Sequence, residues 1–540
     1  MEPLSAKNVF QRRAVILLAA FPLLVVGVLI LAPLLTYPFG RDQGVFAAAA
    51  DILARGGVPY RDLWDVKPPG VFYAYWTSFM LFGRSTPAPR AFDILWTLTT
   101  ATVIWALGLR LAAPWERRRL ACIVSLFAAF LFLLRYVAGN TFWNTTQADG
   151  FASLPLCLAI AALIAAEERK HNWLAVACGA CVALAILFKL TLGVFLLLPV
   201  LAAFFSPQES FRRRLGRAAC YLLGCAGVLA IVAVMLWRAG ALGDAVDVLV
   251  HWNAYYSRLR PPLPMTSSPL RQTANFLFGL PHYPLLFFVG LLALIGAVDL
   301  AVRPASARMR WLLPAWAGVL IASVWAQGKF YTYHWLPVLP PLCLLAGQGL
   351  RSLSYLLHKA LPERSARAVS ALGLLVVLAL SAAAYWRGLN WPLRYLGGRM
   401  TCSTFTEHYD RYGDFSLLAD KQVAYFILSE TSPDDTIFIW GFEPLIYAFA
   451  DRQPASRFIY NVPLVTDWSP PEWRVELLRD LETKRPRVIA VVHNDILPWM
   501  NGRFDDSAAQ LADYPELALF LERNYLLDRR IEDFDLYRLR

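Results

Sequence analysis

The chain has 540 residues, of which 58% are hydrophobic and 17% charged, with a mean hydropathy of +0.46 and a formal charge of +12. Soluble domains carry about 25% charge, so this composition excludes a soluble enzyme, a disulfide-rich secreted domain and a disordered chain. The apolar runs are long and continuous rather than alternating, which also excludes a porin-type barrel. In a polytopic protein the basic excess serves orientation first, and nucleic acid is not an expected partner.

A helix needs about 20 apolar residues to cross a bilayer core, and eleven runs qualify: 14–35, 91–113, 120–138, 149–166, 173–188, 190–205, 218–237, 283–302, 311–326, 334–350 and 369–386. Residues 173–205 would measure roughly 50 Å as one helix, well beyond the hydrocarbon thickness. Lys189 and Gly193 mark the expected break into two short helices. The segments 1–13, 114–119, 167–172, 206–217, 303–310 and 351–368 hold 19 Lys and Arg in 63 residues, a density about three times that of the intervening segments. This bias places the N-terminus in the cytoplasm and everything after residue 386 outside. The first apolar run is too long for a signal-peptide core and reads as an uncleaved helix. The fold class expected is thus a polytopic α-helical membrane protein with about eleven spans and a small C-terminal extracytoplasmic α/β domain. The domains are 1–386, with large outer loops 36–90 and 238–282, and 387–540.

Seven of the eight cysteines fall in the apolar runs, leaving Cys402 alone in the exported tail. Cys178 and Cys181 have redox or metal spacing but sit in an apolar run with no second pair, and read as buried small residues. In the second outer loop His251, Trp252, Tyr255, Tyr256, Arg258 and Arg260 form an amphipathic stretch suited to a membrane interface. In the tail, β-type runs at 436–440, 457–460 and 487–492 alternate with helical patterns around 443–450, 472–483 and 507–522, which reads as α/β.

Ionisable groups in hydrocarbon are expensive and persist where they do work. Here Asp93, Arg135, Asp149, Lys189 and His334 fall at the outer ends of their runs, while Arg110 and Asp299 fall near the inner ends. Ion-coupled transporters place their carriers near the midplane, so this pattern favours a site at the outer surface. In the first outer loop, Gly40, Arg41 and Asp42 follow the first run directly and precede an Ala-rich helical segment. Asp42 is a candidate general base toward an acceptor hydroxyl; the alternative is an N-cap of that helix. Asp62, Asp65 and Lys67 precede Pro68 and Pro69, whose fixed backbone would present Lys67 from a rigid loop, as a phosphate ligand or as a plain headgroup anchor.

These features resemble the C-type glycosyltransferases, in particular glycosyltransferase family 39 with its protein O-mannosyltransferases and aminoarabinose transferases. The residues that carry the resemblance are Asp42 after the first helix, the segment ILARGGVPYRD at 52–62, the KPP turn at 67–69 leading into an aromatic helix, Asp149 at the start of the fourth span, Lys189 and Thr191 between the fifth and sixth, and YHWLPVLPPLCLLAG at 333–347. It spans roughly residues 10–350, and the order of the motifs matters more than any one of them.

The resemblance implies transfer of a sugar from a polyprenyl-phosphate donor to an envelope acceptor (lipid A, glycolipid, polysaccharide or protein) on the periplasmic face of a bacterial inner membrane, with inversion. Asp42 matches the family's catalytic aspartate. Lys67, Arg258 and His334 are candidates for the donor phosphate, and Asp65, Asp149, Lys189, Tyr331 and Tyr333 are candidate sugar or acceptor contacts; Asp149 and Lys189 also suit a structural ion pair, and the tyrosines an interfacial anchor. Val66 stands where many relatives have Glu, no other His/Glu cluster has ligand spacing, and no metal or other cofactor is assigned. Two other classes fit many helices and an outer region: a transporter or flippase for a lipid-linked substrate, and an assembly protein whose tail binds a partner.

Overall fold

The computed structural model describes residues 21–111, 118–138, 140–205, 209–259, 268–279, 284–302, 311–412 and 414–540. The basic segments 1–13 and 303–310, and Arg260 of the amphipathic stretch, lie outside these residues. The described chain divides into two compact units, one of residues 1–36, 90–229 and 267–390, the other of 37–89, 230–266 and 391–540. The division expected from sequence at 386/387 had grouped both outer loops with the N-terminal part, whereas the second unit joins them to the C-terminal segment.

The first unit is helical. Four described helices are long and apolar enough to cross a membrane: Pro87–Leu111, Leu120–Val137, Ala148–Arg169 and Phe211–Arg238. Asn172–Ile186, Leu190–Phe204, Leu286–Val302 and Leu312–Gln327 are shorter and apolar. The stretch 173–205 breaks where expected, with Asn172–Ile186 ending before Lys189 and a 3-10 turn, Leu190–Leu196, leading into Leu197–Phe204. The Pro284–Val302 and Leu339–Ala360 helices touch through glycines: a Cβ on Gly296 would strike the Leu345 carbonyl, and one on Gly349 the Leu292 carbonyl. Small residues of this kind let helix backbones approach closely where lipid supplies no hydrophobic drive between helices. The basic flanks find acidic partners: Arg217 pairs with Glu167 and with Glu209 at 2.7 Å each, and Lys170 with Glu209 at 2.6 Å.

The second unit is built on a five-stranded mixed sheet. A short hairpin, β1 (Arg411–Tyr412) and β2 (Phe415–Ser416), precedes it. The sheet strands are β3 (Thr436–Trp440), β4 (Gln453–Pro454), β5 (Val488–Val492), β6 (Tyr525–Ile531) and β7 (Phe534–Leu539), in the order β4-β3-β5-β7-β6. β3 runs parallel to β4 and β5, and β7 runs antiparallel to β5 and β6. The apolar runs TIFIW and VIAVV form two of the three interior strands, and every residue of VIAVV is buried, as continuous apolar strands covered on both faces should be. Residues 457–460, expected as a strand, are bends, and the pattern 507–522 is broken into Ser507–Gln510, Leu511–Asp513 and Pro515–Asn524. The outer-loop segments of this unit are the helices Arg41–Ala54 and Gly70–Phe82, the latter starting directly after the two prolines.

Candidate active site

In the second unit Asp42 is the second residue of the Arg41–Ala54 helix. Gly40 is the N-cap, and its N–H is accepted by Gln43 Oε1 at 3.0 Å. The alternative reading of Asp42 as the N-cap is therefore corrected: the helix starts two residues earlier because Gly40 takes the extended backbone and Gln43 folds back on it. Asp42 is half-buried in the first turn, where a carboxylate meets the positive end of the helix dipole.

The loop that presents Lys67 is fixed by its own backbone. Tyr60 holds a φ of +73°, a conformation that costs about 1–3 kcal/mol unless its surroundings enforce it. They do: Tyr60 N donates to Leu63 O at 2.7 Å, Tyr60 Oη to Lys67 O at 3.0 Å, and Arg457 Nη1 to Tyr60 O at 3.0 Å. Asp65, buried, accepts from Lys67 N at 2.9 Å and from Tyr460 Oη at 2.8 Å. Burial pushes its carboxyl up to about 6 against the opposing pull of the Lys67 charge and these two hydrogen bonds, and the nearby Asp42 charge adds to the rise. Asp65 is thus a hinge of the site, sensing both Asp42 and Lys67. An aromatic cluster braces it from behind: Trp64 lies 5.0 Å from Trp252, 5.7 Å from Tyr460 and 5.9 Å from Trp473 between ring centroids. Asn253 Nδ2 reaches Val66 O at 3.2 Å, tying the amphipathic stretch to the same loop. Arg258 belongs to that stretch and is exposed.

Sequence reasoning missed Tyr460, Arg457, Arg41 and its partner Glu443. Glu443 and Tyr460 fall in runs that the sequence marks only as a helical and a β-type pattern, and nothing local marks a tyrosine as the partner of an aspartate 395 residues earlier. Arg41 is buried and paired with Glu443 and, at 2.9 Å, with Asp414. Arg457 reaches Asp244 at 2.6 Å and Glu476 at 2.8 Å.

The first unit gathers the other candidates. Lys189 Nζ lies 3.2 Å from Asp149 Oδ2, with Asp149 buried in the first turn of the Ala148–Arg169 helix, so the ion pair left open by the sequence is formed. Lys189 also sits over the Tyr333 ring at 5.8 Å. Tyr331 and Tyr333 stack at 5.6 Å, and buried His334 meets them edge-on at 5.2 and 4.8 Å. His334 N donates to Tyr331 O at 3.0 Å.

Residues 66–237 match the family model described as dolichyl-phosphate-mannose-protein mannosyltransferase. Among solved structures, the chain is similar to ArnT from Cupriavidus metallidurans. The apo form gives a TM-score of 0.58 at 15% identity, covering 95% of this chain and 96% of that one. The undecaprenyl phosphate-bound form gives 0.57 at 13%, covering 95% and 97%. It is also similar to the Archaeoglobus fulgidus oligosaccharyltransferase tethered with an acceptor peptide, with a TM-score of 0.52 at 12% identity, covering 94% and 72%. No curated protein matches in sequence. The chain shares the fold of these solved structures. The mannosyltransferase match over residues 66–237 agrees with the resemblance to glycosyltransferases drawn from the sequence.

Proposed function

We propose that this chain is a membrane glycosyltransferase that moves a sugar from a polyprenyl-phosphate donor to an envelope acceptor at the extracytoplasmic face. The observation that carries the reading is the convergence on Asp65, which binds the Lys67 backbone and feels the Asp42 charge, so that the base candidate and the cation candidate share one fixed carboxyl. The family match over residues 66–237 and the fold shared with ArnT bound to undecaprenyl phosphate support it.

In this reading Asp42 takes the proton from the acceptor hydroxyl as its oxygen attacks the anomeric carbon. The new C–O bond forms on the face opposite the phosphate, the bond to the phosphate oxygen breaks, and polyprenyl phosphate leaves with the electron pair. The configuration at the anomeric carbon is inverted. Lys67, with Arg258, offsets the charge that develops on the leaving phosphate, an interaction worth more in a low-dielectric site than in water. Asp65 holds the Lys67 loop in place. For the first unit by itself, His334 is the proposed phosphate ligand, and Asp149, Lys189, Tyr331 and Tyr333 are the proposed sugar or acceptor contacts. Eleven crossings of a bacterial inner membrane, a cytoplasmic N-terminus and a periplasmic α/β domain belong to the same proposal.

The test is turnover of labelled polyprenyl-phosphate sugars by detergent-solubilised protein, wild type against Asp42→Asn, with envelope lipid extract as acceptor. Loss of transfer in folded Asp42→Asn is the expected result. Equal transfer would remove Asp42 from its role, and activity that needs a sealed vesicle would favour a transporter.

A further inference from the structure

The acidic cradle around Arg41 takes no part in the chemistry described above, and its construction needs a reason. Arg41 begins the helix that carries Asp42, and only 6% of it is exposed. Its Nε donates to Glu443 Oε1 at 3.0 Å, its Nη2 donates to the same oxygen, and its Nη1 pairs with Asp414 Oδ2 at 2.9 Å. The rings of Phe415 and Phe442 lie 5.6 and 5.8 Å from the guanidinium carbon. Behind Glu443 stands Asp420, fully buried on the Leu417–Glu430 helix. Among the described residues, neither Asp420 oxygen, nor Glu443 Oε2, meets a donor nitrogen or hydroxyl. Burial raises both carboxyls, and the Glu443 charge adds to the rise at Asp420.

A second contact fixes the same turn. Gly44 follows Arg41 by three residues and so lies on the same helix face. A Cβ there would come within 2.7 Å of Leu445 N and 2.8 Å of Leu445 Cα. The segment Glu443 to Leu445 therefore grips the first turn of the Arg41–Ala54 helix twice, once by charge and once by backbone contact. Asp42 lies between the two grips in sequence and about 100° around the helix from Arg41, so the grips set the rotation at which its carboxyl is presented. Buried ion pairs add little net stability compared with apolar packing, whereas misplacing a reacting group by about 1 Å costs on the order of 100-fold in rate.

We propose that Glu443 and Asp414, acting through Arg41, are positioning residues for Asp42. This rests on the reading of Asp42 as the general base. It makes the C-terminal sheet domain a support of the chemistry rather than an appendage. The ionisable groups that face Arg41 and Glu443 are Asp414 from the β1–β2 turn, Asp420 and, through it, Asp410, and Asp495 after β5. Protonating Glu443 is equivalent to replacing it by Gln, so acid should loosen the grip in the wild type and have no such effect in the variant.

The experiment uses the full-length protein in lipid nanodiscs, with labelled polyprenyl-phosphate sugars as donors, and compares Glu443→Gln, Glu443→Asp, Arg41→Lys and Asp42→Asn. Hydrogen exchange of the 41–54 amides is read alongside turnover. Glu443→Gln is expected to lower kcat by roughly tenfold to 100-fold with the donor KM within about twofold, as misplacement of a base requires. Amides 41–54 should exchange about tenfold faster while those of β5 are unchanged. Wild-type kcat should fall on acidification toward the Glu443→Gln value, the variant lacking that step, and Glu443→Asp should recover part of the loss. Wild-type kcat and wild-type exchange in both Glu443→Gln and Arg41→Lys, with Asp42→Asn inactive, would overturn the positioning role and leave the base assignment intact. Full activity of Asp42→Asn, or no turnover of any donor by the wild type, would remove the base assignment and the positioning role with it. Should Glu443→Gln not fold, Arg41→Lys, which keeps the charge and loses the forked geometry, decides by the same exchange and kcat readouts.

Discussion

Tyr460 donates a 2.8 Å hydrogen bond to the buried Asp65, joining the loop before the KPP turn to the C-terminal segment of the same unit. The bond is one of two that hold the Asp65 carboxyl, the other coming from Lys67 N. Tyr460→Phe leaves a buried acceptor with one donor fewer and should cost about 1–3 kcal/mol. The measurement is the thermal midpoint of the purified variant at neutral pH. An unchanged midpoint would show that water replaces the phenol and that Asp65 is less enclosed than its burial indicates.

The pH dependence of the same group has a definite sign. Asp65 moves from the ordinary 3.8 up to about 6 on folding, chiefly through burial. A raised carboxyl binds its proton more tightly in the folded state, so stability is highest below pH 4 as far as this group is concerned. It falls as pH rises through the window from about 4 to 6, by a total on the order of 3 kcal/mol, and is then constant. Asp65→Asn has no proton to lose there. The difference in thermal midpoint between wild type and Asp65→Asn should therefore shift in favour of the variant as pH is raised from 4 to 7. A difference that is flat across this range would contradict the shift.

Gly44→Ala tests the close contact between the Arg41–Ala54 helix and Leu445. The new methyl would meet main-chain atoms at 2.7 and 2.8 Å, which no rotamer change relieves. Overpacking of this kind costs about 1–3 kcal/mol, and the strain falls on the turn that presents Asp42. Both the thermal midpoint and kcat should drop. A variant with wild-type values of both would mean that the two segments separate without consequence.

The parts of this molecule that sequence made legible are those with local causes. Two prolines announced the helix that starts at Gly70, and a polar break in an overlong apolar run announced the interruption at Lys189. Asp42 was visible because it follows the first apolar run directly. The supports of the site were not legible, since Tyr460 and Glu443 reach back 395 and 402 residues to Asp65 and Arg41, and no periodicity encodes such pairings. The hairpin of β6 and β7 was missed for a different reason. Its turn is Glu532-Asp533, with Glu532 at a φ of +45°, where Asn-Gly or Asp-Gly would have been the readable signal. Its first strand carries charges on an exposed edge, which hides the β pattern.

Lys67→Ala removes the cation assigned to the leaving phosphate while leaving the backbone N–H that Asp65 accepts. The loop should stay in place, and the loss should appear in transition-state stabilisation, at about 2–4 kcal/mol, equivalent to roughly 30- to 1000-fold in kcat/KM for the donor. Steady-state kinetics at limiting donor measure it. A change confined to membrane partitioning, with unchanged kcat/KM, would reduce Lys67 to a headgroup anchor.

The Lys189–Asp149 pair separates a structural from a functional reading of the first unit. Its side chains are 12% and 1% exposed, so the pair is largely out of solvent. Lys189→Met leaves Asp149 buried without its counter-charge and should destabilise by about 3–5 kcal/mol, where an exposed pair would cost about 0–1 kcal/mol. Adding Asp149→Asn removes the stranded charge and should restore most of the lost thermal midpoint. The restored double variant then isolates chemistry from folding. If the pair only joins helices, donor turnover returns with stability. If Lys189, placed over the Tyr333 ring, also meets the sugar or the acceptor, the folded double variant keeps its melting temperature and loses turnover, and KM for the acceptor distinguishes binding from the chemical step.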